Sequence, residues 1–319
     1  MTHVLYTANL ASVVPPLVER HPGVRFTLID GDEFRDEYRD ADILWRSWVI
    51  PELFDQLMGE CLDLKWLHVT SAGFDWAGGP NFDRRIAEGL LSSRSSTAYP
   101  TAIAEYVIAA IHLHARRFLH FADAQSRREW SSGLARDVAG STLLVYGTGS
   151  IGRFTAERAE ALGMTVIGVN RTGSAAEGFV RTEPFSSSSA LLPEADWVVL
   201  AMPVTPENRG FLGAAEFAAM RDDAVLINVG RGALIVEESL VEAMTSGAIA
   251  GAVLDVFEQE PLPADSPLWT LPNTLLTPHT SYSSDGNPQR LAEDFSENLG
   301  RFLSGRPLLG VMSQPQLGY

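Results

Sequence analysis

The 319-residue sequence is nearly devoid of cysteine and lysine. The single cysteine, Cys61, excludes an internal disulfide and any metal site built from several cysteines, so we expect a reducing, cytoplasmic environment. Lys65 is the only lysine, and arginine therefore supplies almost all of the positive charge. Codon bias and adaptation to salt are both consistent with this composition.

Long hydrophobic runs and a positive net charge are also lacking. The longest apolar runs, such as residues 197–204, are far shorter than the roughly 20 residues that span a bilayer. Residues 1–16 lack the basic start of an export signal. A formal net charge of −16 repels phosphate backbones and anionic lipid headgroups. We therefore expect a soluble protein without nucleic-acid or membrane partners.

The hydrophobic content of 45% is sufficient for a large core, and the length favours two domains. In the first third of the chain, short apolar runs alternate with polar or helical stretches, as in βαβ units. These runs lie at residues 4–7, 24–29, 43–46, 66–70 and 90–92. This pattern predicts a small, flavodoxin-like α/β domain.

From Pro100 onward, apolar residues recur at helical spacing and predict a long helix that leaves the first domain. A second series of strands follows, predicted at residues 142–146, 165–169, 197–201, 224–229, 251–254 and 274–276. Strands separated by helices in this way predict a doubly wound parallel sheet. A final helix, about residues 285–303, has an apolar face, and we expect it to return to the first domain.

A glycine-rich turn follows the first strand of this second series. Because it lies between a strand and a predicted helix that ends near Gly163, its G-x-G-x-x-G pattern predicts a nicotinamide dinucleotide site. The first glycine permits a tight turn, the second lets backbone N–H groups approach the pyrophosphate, and the third lets helix and strand pack closely. The turn consists of Gly147, Thr148, Gly149, Ser150, Ile151 and Gly152.

The residues after the next strand predict which dinucleotide is bound. An NAD-preferring site has a carboxylate there, whereas this chain has Asn170, Arg171 and Thr172. A guanidinium and short polar side chains can bind a 2′-phosphate through charge-assisted hydrogen bonds, so NADPH is the favoured cofactor. The alternative is an ordinary solvated arginine beside a site that uses NADH.

Polar residues at the carboxyl ends of parallel strands are the first candidates for catalysis. Arg231, Asp255, Glu260 and His279 all follow predicted strands, whereas His68 lies within one and is interpreted as structural. Reduction of a 2-oxo acid needs a cation for its carboxylate and carbonyl and an acid for the new alkoxide. Arg231 can be the cation, and His279, oriented by the Glu260 carboxylate, can be the acid.

Several motifs together resemble the D-2-hydroxyacid dehydrogenase family, in the style of its NADPH-dependent glyoxylate and hydroxypyruvate reductases. The resemblance covers nearly the whole chain. Its motifs are Ser71-Ala72-Gly73-Phe74-Asp75, Ala104-Glu105, Met202-Pro203-Val204-Thr205-Pro206, Asn228-Val229-Gly230-Arg231-Gly232, Leu254 to Pro261, and Thr277-Pro278-His279.

This resemblance implies roles for individual residues. Arg231, Glu260 (rather than Glu258) and His279 match the family's catalytic arginine, carboxylate and acid/base histidine. The loop of Ser71, Ala72 and Gly73 matches the loop that holds the substrate carboxylate. The remaining implied cofactor-binding residues are Met202, Pro203, Val229, Gly230 and Asp255, the last near the nicotinamide.

The resemblance also implies the organisation of the chain. Residues 1–97 and 281–319 form the substrate domain, residues 98–280 form the dinucleotide-binding domain, and the long helix crosses between the subunits of a homodimer. Trp45 and Arg46 resemble a position that lines the substrate pocket. A buried aromatic and a surface arginine explain these two residues equally well.

We expect reduction of small 2-oxo acids of the glyoxylate, hydroxypyruvate or pyruvate type to D-2-hydroxy acids, with a large tryptophan restricting the pocket. The alternative is a protein that senses dinucleotides without turning over a substrate. Such a sensor is expected to lack a catalytic group, whereas Arg231, Glu260 and His279 are all present.

Overall fold

The structure is a computed structural model that describes residues 1–71 and 79–312. The chain divides into two compact units, Met1–Tyr99 with Ser284–Tyr319, and Pro100–Ser283. The sequence-based boundaries, at residues 97/98 and 280/281, lie two and three residues from these divisions. Each unit contains one parallel sheet.

The first unit has a five-stranded parallel sheet in the order β2-β1-β3-β4-β5, which confirms the predicted flavodoxin-like arrangement. Each crossover between parallel strands contains a helix or 3-10 turns, as parallel pairing requires. The elements are β1 (Thr2–Thr7), α1 (Pro15–Arg20), β2 (Val24–Ile29), β3 (Ile43–Arg46), α2 (Pro51–Glu60), β4 (Trp66–Val69), α3 (Pro80–Ala87), β5 (Leu91–Arg94) and α9 (Asn287–Leu303).

Helix α9 covers one face of this sheet, as its apolar face predicted. Phe295 is fully buried and stacks on Trp45, with ring centroids 4.2 Å apart and planes 3° apart, and also on Trp66. His68 on β4 is fully buried beside Ser93, and this burial lowers its pKa to about 3. His68 is therefore a neutral core residue, as expected.

The second unit contains the predicted doubly wound sheet, with seven parallel strands in the order β12-β11-β10-β9-β6-β7-β8. The order reverses at β6, next to β9, where ligands bind in such sheets. Its elements are α4 (Ala98–Ala115, which begins in the first unit), α5 (Phe118–Ser126), β6 (Thr142–Tyr146), α6 (Ser150–Ala161), β7 (Thr165–Asn170), β8 (Arg181–Pro184), β9 (Trp197–Leu200), α7 (Ala214–Ala219), β10 (Val225–Asn228), α8 (Glu237–Ser246), β11 (Gly251–Leu254) and β12 (Thr274–Leu276).

Two details of the second unit differ from the sequence-based prediction. Strand β8 was missed because it is a polar edge strand, Arg-Thr-Glu-Pro, without the apolar signal that marks a buried strand. Helix α4 begins at Ala98, two residues before the proline that was taken as its start.

No helix in the described part of the chain is both long and apolar enough to cross a membrane. Within residues 1–71 and 79–312, no group of three or more histidine, cysteine, aspartate or glutamate side chains is arranged to hold a metal ion.

Candidate active site

The glycine turn has the geometry that its sequence predicted. Gly147 has a φ of +110°, and a Cβ there would lie 2.5 Å from the carbonyl oxygen of Ala201. A Cβ on Gly152 would lie 1.9 Å from the oxygen of Gly147, because α6 starts directly against the turn. The space around a Cβ on Gly149 is open to at least 4 Å. The fold itself requires the outer two glycines, whereas the middle one leaves room beside the N-terminus of α6 for a phosphate group.

The loop after β7 is held by the side chain of Asn170. Its Oδ1 accepts hydrogen bonds from the N–H groups of Thr172 (3.2 Å) and Gly173 (2.8 Å). Its Nδ2 donates to Thr148 Oγ1 (3.1 Å) and to the carbonyl of Ser174 (2.8 Å). The amide of Asn170 shapes this loop and ties it to the glycine turn, and its predicted contact with the cofactor stays a prediction.

The same loop presents Arg171 to solvent. The residue is exposed, and no hydrogen bond or ion pair joins it to the described part of the chain. The neighbouring Thr172 Oγ1 lies 2.7 Å from Ser174 Oγ. A guanidinium and two hydroxyls therefore share one exposed loop beyond the glycine turn, an arrangement that can bind a phosphate.

Arg231 is positioned by the residues around it in the sequence. Asn228, at the end of β10, accepts a hydrogen bond from Gly230 N (3.0 Å) and donates to the carbonyl of Arg231 (3.0 Å). A Cβ on Gly230 would lie 2.8 Å from the carbonyl oxygen of Met202, and one on Gly232 would lie 1.9 Å from the carbonyl carbon of Phe257. The Arg231 loop is therefore packed closely between two neighbouring loops, and only glycine fits on either side of the arginine.

The loop after β9, which begins with Met202 and was predicted to bind the cofactor, contains a buried residue, Asn208, that was not predicted from the sequence. Asn208 donates to the carbonyl of Pro203 (2.9 Å) and accepts from Thr205 N (2.6 Å), which closes the loop on itself. Val229 continues from the end of β10 and is buried. An asparagine in a loop that follows a strand was the sequence signal for this role, because short amides commonly bond to nearby backbone.

A hydrogen bond joins the side chains of His279 and Glu260. The distance from His279 Nδ1 to Glu260 Oε2 is 2.8 Å, and Glu260 Oε1 accepts a hydrogen bond from Phe257 N (3.0 Å). Glu258 instead pairs with Arg209 in solvent. The sequence-based choice of Glu260 over Glu258 therefore matches the geometry, and Nε2 of the imidazole remains available for a substrate.

The loops of Arg231 and His279 meet through Phe257. Gly232 packs against the Phe257 backbone, and the Phe257 N–H binds the carboxylate that holds His279. The structure thus places Arg231, His279 and Glu260 on adjacent loops of one unit, as the carboxyl ends of neighbouring parallel strands require.

Asp255, which the resemblance implies to lie near the nicotinamide, directly follows β11. It is fully buried, and its carboxylate accepts hydrogen bonds from Thr277 Oγ1 (2.6 Å), Thr280 N (2.8 Å) and Ser281 N (2.9 Å). Its backbone carbonyl accepts from His279 N (2.8 Å). The carboxylate is therefore enclosed by the segment that carries His279, and its predicted contact with the cofactor stays a prediction.

Trp45 has a different place from the one predicted. It is fully buried against Phe295 and cannot line a pocket, so the specific prediction for this residue is wrong. Arg46 is buried as well, donates to the carbonyl of Val49 and lies over the ring of Phe54. Both residues lie on a central strand of the sheet, whose two faces are covered.

The predicted carboxylate loop is described only at its first residue. Ser71 lies two residues after the end of β4 and is half-buried, whereas Ala72 and Gly73 lie outside the described residues. Three residues beyond Trp45, Trp48 is 68% exposed just after the end of β3. The position of Trp48 after the end of the strand, rather than within it, was the sequence signal that its ring is accessible.

A glycine turn on a doubly wound sheet, with an arginine and a paired histidine at neighbouring strand ends, defines a nicotinamide-dependent dehydrogenase. Residues 108–281 match the NAD-binding domain of the D-isomer specific 2-hydroxyacid dehydrogenases. The chain belongs to this family and is an oxidoreductase.

Individual relatives agree with this assignment. A glyoxylate/hydroxypyruvate reductase B from an Enterobacter strain is 35% identical over 251 residues, which are 76% of each chain. An NADPH-dependent glyoxylate/hydroxypyruvate reductase from Sinorhizobium meliloti, solved with NADP and sulfate, has a TM-score of 0.82 at 28% identity over the whole of both chains. A D-isomer specific 2-hydroxyacid dehydrogenase from Xanthobacter autotrophicus, solved with NADPH, has a TM-score of 0.82 at 29% identity, covering 100% of this chain and 99% of the other.

The three glycines lead to a prediction that separates folding from dinucleotide binding. Gly149→Ala should fold normally, because its Cβ enters open space, but should weaken NADPH binding about tenfold or more by filling the space for the pyrophosphate. Gly152→Ala should itself destabilise the protein, lowering the melting temperature by about 2–10 °C, because its Cβ overlaps the turn.

Cofactor fluorescence titration and thermal unfolding of each variant test this prediction. Gly23→Ala is the control, since its Cβ also meets open space but lies in the first unit. Wild-type cofactor affinity in Gly149→Ala would show that no phosphate approaches the middle glycine.

Proposed function

We propose that this protein reduces small 2-oxo acids to D-2-hydroxy acids with NADPH, and that His279 donates the proton. The observation that carries the proposal is the pair of His279 and Glu260 beside the Arg231 loop. Membership in the 2-hydroxyacid dehydrogenase family supports the reaction type.

The residues divide the chemistry between them. The nicotinamide, when bound, supplies the hydride that reaches the carbonyl carbon of the substrate. Arg231 binds the substrate carboxylate and polarises the carbonyl, since a guanidinium offers several donors in a fixed plane. His279 Nε2 gives its proton to the alkoxide oxygen that forms. Glu260, on Nδ1, orients the ring and stabilises its protonated form before transfer.

The small substrate class is supported by the relatives, because those described above include enzymes named for glyoxylate and hydroxypyruvate. The size of Trp45 does not support this substrate class, since that ring is in the core.

Turnover with a panel of 2-oxo acids, followed by NADPH absorbance, tests the proposed activity. We expect glyoxylate, hydroxypyruvate or pyruvate to be reduced faster than bulky, branched 2-oxo acids, and the product to be the D-isomer. Tight NADPH binding without turnover of any 2-oxo acid would favour a sensor of dinucleotides instead.

The proton-donor role predicts a specific pattern among variants. His279→Ala should lower kcat by about 100-fold or more and leave NADPH affinity unchanged, as loss of a general acid does. Glu260→Gln should also lower kcat, because the imidazole loses its charged partner, whereas Glu258→Gln, on the same loop but paired with Arg209, is the control. Equal activities of the two glutamine variants would contradict the role of Glu260.

The proposed preference for NADPH depends on Arg171 and its loop. The exposed guanidinium and the hydroxyls of Thr172 and Ser174 offer donors, and residues 170–174 contain no carboxylate that would repel a phosphate. Relatives solved with NADP or NADPH support the same preference.

Cofactor kinetics of Arg171→Ala test this preference. The KM for NADPH should rise about tenfold or more, whereas the KM for NADH should change by less than about twofold, because only NADPH has the 2′-phosphate that Arg171 would bind. Arg181→Ala, an exposed arginine of the same unit that pairs with Glu194, is the control. An unchanged ratio of kcat/KM for the two cofactors would refute the assignment.

The proposal includes a cytoplasmic homodimer. After α5, Trp130 and Leu134 are almost completely exposed, on a segment that Arg136 anchors to Asp196 (2.8 Å). Large apolar side chains that are exposed to solvent only four residues apart are typical of a surface that binds a partner. A second copy of the chain is the partner proposed here, in agreement with the family resemblance.

Light scattering after size-exclusion chromatography tests the dimer. We expect twice the mass of the chain, and a shift towards the monomer in Trp130→Ser and Leu134→Ser, because each removes apolar surface from the interface. Leu62→Ser, at an exposed position of the first unit, is the control. A wild-type monomer at micromolar concentration would refute the proposal.

A further inference from the structure

Helix α4 contributes one polar side chain to the region of His279. The hydroxyl of Tyr106 lies 2.7 Å from Thr277 Oγ1, although the two residues are 171 positions apart. Thr277 is two residues before His279, and its own hydroxyl lies 2.6 Å from Asp255 Oδ1. The proposed reaction assigns no role to Tyr106 or Thr277.

The direction of these two hydrogen bonds follows from the number of available protons. Thr277 has one hydroxyl proton and donates it to Asp255 Oδ1. The Thr277 oxygen must therefore accept from Tyr106, which is the donor. Burial raises the pKa of Tyr106 to about 12, so its hydroxyl keeps its proton over the whole physiological range.

The chain of hydrogen bonds ends on the segment that holds His279. Asp255 receives the Thr277 hydroxyl and the N–H groups of Thr280 and Ser281, and its carbonyl receives the N–H of His279. Every residue from Thr277 to Ser281 except Pro278 is thus joined directly to Asp255.

This anchoring is needed because His279 has a φ of +49°. The left-handed region is unfavourable for residues other than glycine and persists only where surrounding contacts impose it. If the segment relaxed, the imidazole would move relative to Glu260, whose carboxylate is held separately by Phe257 N.

We propose that Tyr106 is a positioning residue that acts through Thr277 and Asp255 to hold His279 against Glu260. The catalytic consequence rests on the function proposed above, whereas the structural consequence does not. Tyr106 does not touch the reacting groups, and its effect is transmitted by the Thr277 hydroxyl.

Kinetics of three variants test the catalytic consequence. Tyr106→Phe, which keeps the ring and removes the hydroxyl, should lower kcat about fivefold to tenfold with little change in NADPH affinity. Thr277→Val should have at least as large an effect, and Thr277→Ser, which keeps the hydroxyl, should restore most of the activity. Adding Tyr106→Phe to Thr277→Val should cause no further loss, because both act through one connection.

Hydrogen–deuterium exchange of the full chain tests the structural consequence without any substrate. The amides of His279, Thr280 and Ser281 should exchange about threefold faster or more in Tyr106→Phe, since the anchor that protects them is weakened. Tyr38→Phe is the matched control, because Tyr38 is a fully buried tyrosine of the first unit whose hydroxyl faces the carbonyl of Leu28.

Failure of the proposed function and failure of the positioning role would give different results in these two measurements. If wild-type protein reduces no 2-oxo acid, the proposed function fails, and the exchange rates still decide whether Tyr106 holds the segment. Unchanged exchange in Tyr106→Phe, or unchanged kcat in a protein that does turn over, would overturn the positioning role. An equal loss of kcat in Tyr38→Phe would also overturn it, by showing a general effect of removing a buried hydroxyl.

Discussion

The arrangement of the candidate site depends on one buried carboxylate, that of Asp255. An isolated carboxylate without contact to water is very unfavourable, and hydrogen bonds must compensate for the lost hydration. Here the compensation comes from a hydroxyl and two backbone N–H groups of the segment after β12, which must therefore fold back across the end of β11. That path places His279 in a left-handed conformation beside Glu260. The hydrogen bonds to this buried carboxylate thus determine where the imidazole lies.

Short polar side chains hold the other loops at the same edge of the sheet. Asn170 binds the backbone after β7, Asn208 the loop after β9, and Asn228 the loop after β10. Loops beyond the ends of parallel strands lose the hydrogen bonds of the sheet, and short amides and carboxylates can replace them locally. With Asp255, each of these four loops is fixed by such a side chain. Arg231 and His279 can therefore be placed accurately although they lie on loops, where backbone mobility is otherwise greatest.

Much of this architecture could be predicted from the sequence, because hydrophobic periodicity directly reflects the two buried sheets and the apolar face of α9. The glycine turn was predictable in detail, since Gly147 and Gly152 are required by close backbone contacts. Strand β8 was missed because an edge strand need not be apolar. For Trp45 the sequence left a pocket wall and a buried aromatic as equal alternatives, because position along a strand does not reveal how completely the sheet is covered. The stacking with Phe295, 250 residues away in the sequence, makes it a core residue.

The contacts of Asp255 have a more general cause. A polar residue at the carboxyl end of a parallel strand has two possible uses: its side chain can extend towards a ligand, or it can turn back and bind the backbone of its own loop. The length of the side chain helps to distinguish them. Aspartate and asparagine reach nearby N–H groups readily, whereas a longer side chain can bind its own loop and still reach a second group. Asp255 and Asn170 bind backbone, whereas Glu260 accepts from Phe257 N with one oxygen and holds His279 with the other. At the edge of a doubly wound sheet, short polar residues are therefore better interpreted first as anchors of the loops, and longer ones as candidates for chemistry.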